Sequence, residues 1–176
     1  MTVKIEKFDP TKKYKDLKKF DCGHQTINKF VNNSLKPQVK AGTSVAWALL
    51  DTANNDRFVG FYTLMMSYVN QSILSNLSNQ SFPSMVPCVR LVMLGVDVAY
   101  KRNNYGSRLM KHALGETKKA ANIAGCRGMY LDADAGAISF YTKLGFSALE
   151  TPNNPLSPTP MFLFTESFFL DGSSRS

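Results

Sequence analysis

Apolar positions fall into two patterns along this chain: short runs bounded by polar turns, and three stripes at helical spacing. Residues 3–8 alternate loosely and predict a first strand. Residues 12–20 form a basic stretch that reads as turn or helix. Asp21-Cys22-Gly23-His24 punctuates it. Ile27, Phe30, Val31 and Leu35 then recur at helical spacing, and Pro37 is expected to end that helix. Residues 44–50 read as a strand and 51–57 as a polar turn. Residues 58–69, rich in aromatic and β-branched side chains, read as the next strand. A short helix over 71–79 and a proline loop over 82–87 follow.

Residues 89–96 are almost continuously apolar, the pattern of a strand buried on both faces. A polar, basic turn over 100–106 leads into the longest stripe, with Leu109, Met110, Ala113, Leu114, Thr117 and Ala121 on one face and Gly125 and Gly128 as stops. Residues 129–133 read as another buried strand and 135–144 as a short helix stopped at Gly145. A strand starting at Phe146, a Pro/Asn loop over 151–160 and a last strand over 161–164 complete the series. Strands come first, then strands alternate with helices, which predicts an α+β or α/β three-layer domain around a mixed sheet. No repeat or boundary divides the chain. A single domain over 1–176 is expected, with its core over about 3–165 and a frayed tail over 171–176.

Composition adds a partner class. Of 176 residues, 44% are apolar and 19% charged, so a core can form. Twenty-one Lys and Arg against 13 Asp and Glu leave a net charge of +8, which points to an anionic partner such as nucleic acid or a phosphorylated cofactor. The excess sits in two blocks. Residues 1–40 carry ten Lys against four acids, and residues 98–128 carry seven basic residues against one Glu; each block nets +6. Three widely spaced cysteines, Cys22, Cys88 and Cys126, argue against a disulfide framework, and with two His in the chain no metal site is expected. The N-terminus lacks the apolar stretch of a signal peptide, and no 18-residue apolar run exists to span a membrane. A reducing, cytoplasmic setting is therefore expected.

The segment over 89–114 carries the most chemistry. A buried strand, a six-residue polar turn and a long helix present unpaired N–H groups at the helix start. Together with the positive end of the helix dipole, they suit a phosphate or pyrophosphate. Lys101 and Arg102 add charge. Asn103 and Asn104 tolerate the left-handed backbone that amide nests need, and Gly106 permits close approach. An ordinary strand-to-helix connection would read the same from residues alone.

This segment resembles the acetyl-CoA site of the GNAT N-acetyltransferase superfamily, whose turn has the pattern Gln/Arg-x-x-Gly-x-Gly/Ala. Lys101 stands where Gln or Arg is usual, Asn104 where the first Gly is usual, and Gly106 fills the last position. The stretch over 131–146 resembles the family's F-Y-x-K-x-G-F ending, here Phe140, Tyr141, Lys143, Gly145 and Phe146, with Asp134 where Asn is frequent. Phe20-Asp21-Cys22-Gly23, Ile27-Asn28 and Phe30, and the run over 59–72 are similar to a GNAT subgroup that includes toxins of toxin–antitoxin pairs.

The resemblance implies an α+β GNAT fold with a mixed, mostly antiparallel sheet of about six to seven strands flanked by about four helices. It implies an acetyl-CoA-dependent N-acetyltransferase without a metal. The turn residues Lys101, Arg102, Asn103, Asn104, Tyr105, Gly106 and Ser107 would take the pyrophosphate, and Leu94 and Val96 would pair with the pantetheine amides. Asp134 is also expected beside the cofactor. Tyr141 would protonate the departing thiolate, or alternatively only pack against the cofactor. The acceptor implied by the toxin subgroup is the α-amine of aminoacyl-tRNA. The partners expected are that RNA, acetyl-CoA, a ribbon-helix-helix antitoxin and a second copy of the chain. Lys29, Lys36 and Lys40 are the residues expected to track an RNA backbone. A small amine, a peptide or a protein lysine is the alternative acceptor, and a non-catalytic module binding an acidic partner the alternative role. No general base stands out among His24, His112, Asp97 and Asp134. An α-amine, with a pKa of about 7.7–8.0, needs less help than a Lys near 10.4.

Overall fold

The computed structural model describes residues 2–168. The expected frayed tail lies outside them. The strands are β1 (Val3–Lys7), β2 (Val45–Asp51), β3 (Arg57–Asn70), β4 (Met85–Val96), β5 (Gly128–Ala133), β6 (Ser147–Ala148) and β7 (Thr159–Phe164). The helices are α1 (Gln25–Asn33), α2 (Leu35–Ala41), α3 (Gln71–Leu74), α4 (Tyr105–Ile123) and α5 (Ile138–Lys143), with short 3-10 turns between elements. The strands form one sheet in the order β1-β2-β3-β4-β5-β7-β6. Strands β1–β2, β2–β3, β5–β7 and β6–β7 pair antiparallel, and β4–β5 pair parallel. This is the α+β, mostly antiparallel sheet expected, with seven strands; among the described residues five helices stand where about four were expected. A parallel pair needs a long crossover, which the 19-residue α4 supplies.

The chain forms two compact units. One comprises residues up to Met65 together with Leu91–Ala113. Its core gathers Phe8, Tyr14, Leu17, Phe20, Phe30, Leu35, Phe58 and Phe61. Phe20 meets Phe58 and Phe61 edge to face, with ring centroids 5.4 and 5.7 Å apart. Such pairs add about 0.5–1.5 kcal/mol beyond area burial. Gly95 of β4 is required for this packing: a Cβ there would stand 3.1 Å from Ile27 Cγ2 and 3.2 Å from Phe20 Cζ. The other unit comprises Met66–Arg90 and the residues from Leu114 on. Its core holds Val69, Leu74, Phe82, Val86, Cys88, Leu149 and Phe162. Among the described residues, no helix is long and apolar enough to cross a membrane. All three cysteines are free thiols.

Several local expectations are corrected. Pro37 does not end a helix. The chain breaks at Ser34, and Pro37 sits in the first turn of α2, where its missing N–H costs no intrahelical bond. The strand over 89–96 begins earlier, at Met85, and is not buried on both faces: Val92, Met93, Leu94 and Val96 are half-buried. The helix expected over 71–79 is the four residues of α3. Over 135–144 the chain forms a 3-10 turn, Ala135–Ala137, and then α5. The strand expected from Phe146 is only two residues long.

Candidate active site

In the first unit the site residues hang from the end of β4. The parallel ladder with β5 consists of Val89↔Met129 and Arg90↔Tyr130, and Leu94 and Val96 lie beyond it. On the β3 side, the Met93 N–H donates to Thr63 Oγ1 at 3.2 Å, and the Asp97 N–H donates to the Val59 carbonyl at 2.8 Å. Thr63 is fully buried, so a side chain has taken an amide that a regular ladder would give to a carbonyl.

After β4 the chain makes a 3-10 turn, Val98–Tyr100, capped by Asp97 Oδ1, which accepts from the Ala99 N–H at 3.0 Å. Tyr100 anchors this turn from below. Its hydroxyl donates to Asp51 Oδ2 at 2.7 Å. The fully buried Asp51 also accepts from Asn54 Nδ2 at 2.6 Å and from the Ala53 N–H at 3.0 Å. The hydrogen bond from Asn54 first, and that from Tyr100 next, hold the Asp51 carboxyl below the usual carboxylate range. Burial pushes the Tyr100 phenol up.

The turn proper is left-handed at two alternate residues, Arg102 (φ 68°) and Asn104 (φ 57°). Of the two asparagines expected to tolerate this backbone, Asn104 adopts it and Asn103 does not; Arg102, not expected there, takes the other left-handed position. A left-handed residue other than glycine costs about 1–2 kcal/mol, with Asn the usual exception. The Asn103 side chain holds the conformation, donating to the Tyr100 carbonyl at 3.1 Å and the Lys101 carbonyl at 3.2 Å. The first helical bond of α4 runs from the Arg108 N–H to the Asn104 carbonyl at 3.0 Å. The N–H groups of Tyr105, Gly106 and Ser107 therefore precede the ladder and face outward along the helix axis. Lys101, Arg102, Asn103 and Asn104 are exposed, Gly106 and Ser107 are half-buried, and Tyr105 is buried as the anchor of the first helical turn. Exposed cations, a left-handed turn and a free helix start fit a pyrophosphate.

In the second unit, α5 carries Tyr141, which is 8% exposed. Its ring meets Phe140 and Phe146 edge to face at 5.0 and 5.8 Å. Burial first, and the nearby Asp134 carboxylate second, push the Tyr141 phenol up to about 12. The hydroxyl is thus protonated throughout the physiological range. Asp134 is exposed at the start of the 3-10 turn that leads into α5, and its carbonyl accepts from the Ala137 N–H at 2.8 Å.

The four base candidates have separate surroundings. Asp97 is buried and occupied as a cap. His112 Nδ1 shares a 2.6 Å hydrogen bond with the Tyr62 hydroxyl on the buried side of α4. Asp134 lies beside Tyr141, and His24 is the exposed residue preceding α1. Among the described residues, no group of three or more His, Cys, Asp or Glu could hold a metal ion.

Lys29 on α1 and Lys40 on α2 are exposed, whereas Lys36 is half-buried and donates to the Lys12 carbonyl at 3.4 Å. The two basic blocks, far apart in sequence, meet in the first unit. The Val98 N–H donates to the Asp21 carbonyl at 2.8 Å, and a Cβ on Gly23 would lie 3.4 Å from Lys101 Nζ. Sequence reading passed over this contact. The Asp21-Cys22-Gly23 spacing is an Asx-turn signal that could have shown its local half. The other half spans 76 residues, from Asp21 to Asp97.

Comparison with known proteins bears on both units. The acetyltransferase (GNAT) family matches residues 17–146. A tRNA-acetylating toxin of Mycobacterium tuberculosis (strain ATCC 25618 / H37Rv) is 27% identical over 143 residues, covering 80% of this chain and 82% of that protein. A crystal structure of a bacterial toxin is 33% identical, with a TM-score of 0.89 over 94% of this chain and 92% of its own. The toxin AtaT, complexed with acetyl-methionyl-tRNAfMet, is 26% identical with a TM-score of 0.81, covering 94% of this chain and 95% of that one. A tyrosine-to-phenylalanine mutant of AtaT, bound to acetyl-CoA and the C-terminus of the antitoxin AtaR, is 25% identical with a TM-score of 0.77, covering 94% of each chain.

Proposed function

Because the chain belongs to the acetyltransferase (GNAT) family, we propose that it transfers the acetyl group of acetyl-CoA to the α-amine of an aminoacyl-tRNA. The observation that carries this reading is the left-handed turn at the head of α4, in a chain whose relatives include a tRNA-acetylating toxin. Such an activity would block translation in the cytoplasm, and an antitoxin would be its natural counterpart, as AtaR is for AtaT.

In this reading the N–H groups at 105–107, with Lys101 and Arg102, hold the pyrophosphate. Leu94 and Val96 offer the free edge of β4 to the pantetheine amides. An N–H near Val96 polarises the thioester carbonyl and stabilises the tetrahedral oxyanion, an effect worth about 3–4 kcal/mol in comparable holes. The neutral amine forms the C–N bond, and its proton passes to water. The C–S bond breaks, and Tyr141 gives its phenolic proton to the sulfur and recovers one from solvent. A phenol near 12 is a weak acid, but desolvation of a departing thiolate would raise its proton affinity as well. No strong base is required, because part of an α-amine with a pKa of about 7.7–8.0 is neutral at pH 7.

Lys29, Lys36 and Lys40 supply phosphate contacts for the RNA in this reading. Replacing all three by Ala is expected to raise the tRNA KM and flatten its salt dependence, while acetyl-CoA affinity stays constant. Each phosphate contact contributes a slope of about 0.9 in log K against log salt. Since Lys36 is partly engaged with the Lys12 carbonyl, a loss of about two units is expected rather than three. Titration of tRNA affinity at two salt concentrations checks this, and equal slopes for wild type and triple variant would remove these three lysines from the RNA contact and favour the small-amine acceptor.

A further inference from the structure

The loop between the first 3-10 turn, Leu17–Lys19, and α1 is built as a brace. Asp21 Oδ1 accepts from the Gly23 N–H and from Asn28 Nδ2, each at 2.8 Å. Asn28 Oδ1 accepts from the Cys22 N–H at 2.9 Å, so one amide side chain ties both arms of the loop to α1. Gly23 is left-handed at φ 81°, which closes the loop tightly. The closed loop is bonded to the chain just before the phosphate turn. The Asp21 carbonyl accepts from the Val98 N–H at 2.8 Å, and the Asp21 N–H donates to Asp97 Oδ2 at 3.3 Å. Asp97 is 4% exposed and caps the 3-10 turn Val98–Tyr100 with its other oxygen. Lys101 Nζ lies over Gly23. The Asp21 carboxyl is held below its usual range, chiefly by the Gly23 and Asn28 hydrogen bonds and in lesser part by the Lys101 charge.

We propose that Asn28 is a positioning residue for acetyl-CoA: by locking the 21–23 loop it fixes the Asp97–Lys101 segment from which the pyrophosphate turn starts. The role rests on the assignment of that turn to the cofactor. Asn28 acts through Asp21, Val98 and Asp97. The left-handed Arg102 is the first residue beyond the braced segment. A small tilt of residues 97–101 therefore moves the strained turn and the helix-start amides together.

Acetyl-CoA Kd by calorimetry, with kcat and KM for both substrates, tests this on Asn28→Ala, Asn28→Asp and Gly106→Val. Losing both Asn28 bonds should weaken acetyl-CoA about tenfold. At saturating acetyl-CoA, kcat and the acceptor KM should stay within about twofold of wild type. N28D keeps an oxygen for the Cys22 N–H but sets a carboxylate against Asp21. Its affinity relative to wild type should be low at pH 8 and recover towards pH 5, where a proton is shared between the carboxyls. This second variant decides the matter if N28A does not fold. G106V separates the two claims. Weakened binding in G106V with wild-type binding in N28A, or a pH-independent N28D, overturns the brace and leaves the turn in place. Wild-type binding in G106V overturns the turn itself.

Discussion

Tyr141→Phe should lower kcat by about 10²–10⁴-fold while acetyl-CoA affinity changes by less than about threefold. The ring would keep its edge-to-face contacts with Phe140 and Phe146, so the packing survives and only the proton donor is lost. The pH profile supplies a second signature. Burial raises the phenol to about 12 in the folded protein, so Tyr141 remains protonated below that pH. The wild-type rate should rise with pH as the acceptor amine deprotonates and show no fall from Tyr141 up to about pH 10 or 11. Because the folded-state pKa lies above the unfolded value near 10, the favourable burial of the neutral phenol is complete below pH 10 and is lost as pH rises through 12. Thermal melts of wild type should therefore show this loss only at strongly alkaline pH, and the Phe variant should show a smaller one, since Tyr14, Tyr100 and Tyr130, also raised by burial, titrate in both proteins. Steady-state kinetics and calorimetry on the two proteins check the main point. A kcat near wild type would reduce Tyr141 to a packing residue.

Gly106→Val carries the second large effect. Gly106 is the second residue of α4 and is not among the left-handed glycines, so a side chain is tolerated by the backbone. Valine is a better helix residue than glycine by a few tenths of a kcal/mol, so stability should hold or rise slightly. The branched side chain would nevertheless stand among the N–H groups of 105–107 that receive the phosphates. Acetyl-CoA affinity should fall at least tenfold, about 1.4 kcal/mol or more, without a lower Tm. Calorimetry and a melting curve together distinguish a blocked site from a damaged fold. Unchanged affinity would remove this turn from the cofactor site.

How far these residues could be read from the chain depended on how local their interactions are. The strand, turn and helix around 89–123 are legible because apolar continuity, polar punctuation and a 3.6-residue stripe are all near-neighbour signals. Asn104 is legible for the same reason, since its side chain itself favours the left-handed backbone it adopts. Arg102 has no such preference. Its left-handed φ follows from the surrounding bonds of Asn103 and Tyr100. Likewise Val92, Met93, Leu94 and Val96 look uniformly buried by composition, and their half-exposure depends on where the β5 ladder stops. Pro37 misleads because proline breaks a helix interior but suits a first turn, and the break at Ser34 has no strong signal of its own. The brace around Asp21 and Asn28 was hidden most completely, because its second half bonds Asp21 to residues more than 70 positions away.

The acceptor is the central claim, and the position of the transferred label tests it most directly. Acetyl-CoA labelled in the acetyl group, the protein and bulk aminoacylated tRNA are incubated together, with deacylated tRNA and free amino acids as parallel acceptors. Mild alkaline hydrolysis of the recovered RNA then releases the amino acids. The account predicts label in N-acetyl amino acids freed from the charged tRNA, none on deacylated tRNA, and little on free amino acids. Label confined to free amines or to protein lysines, with none on the charged tRNA, would contradict it.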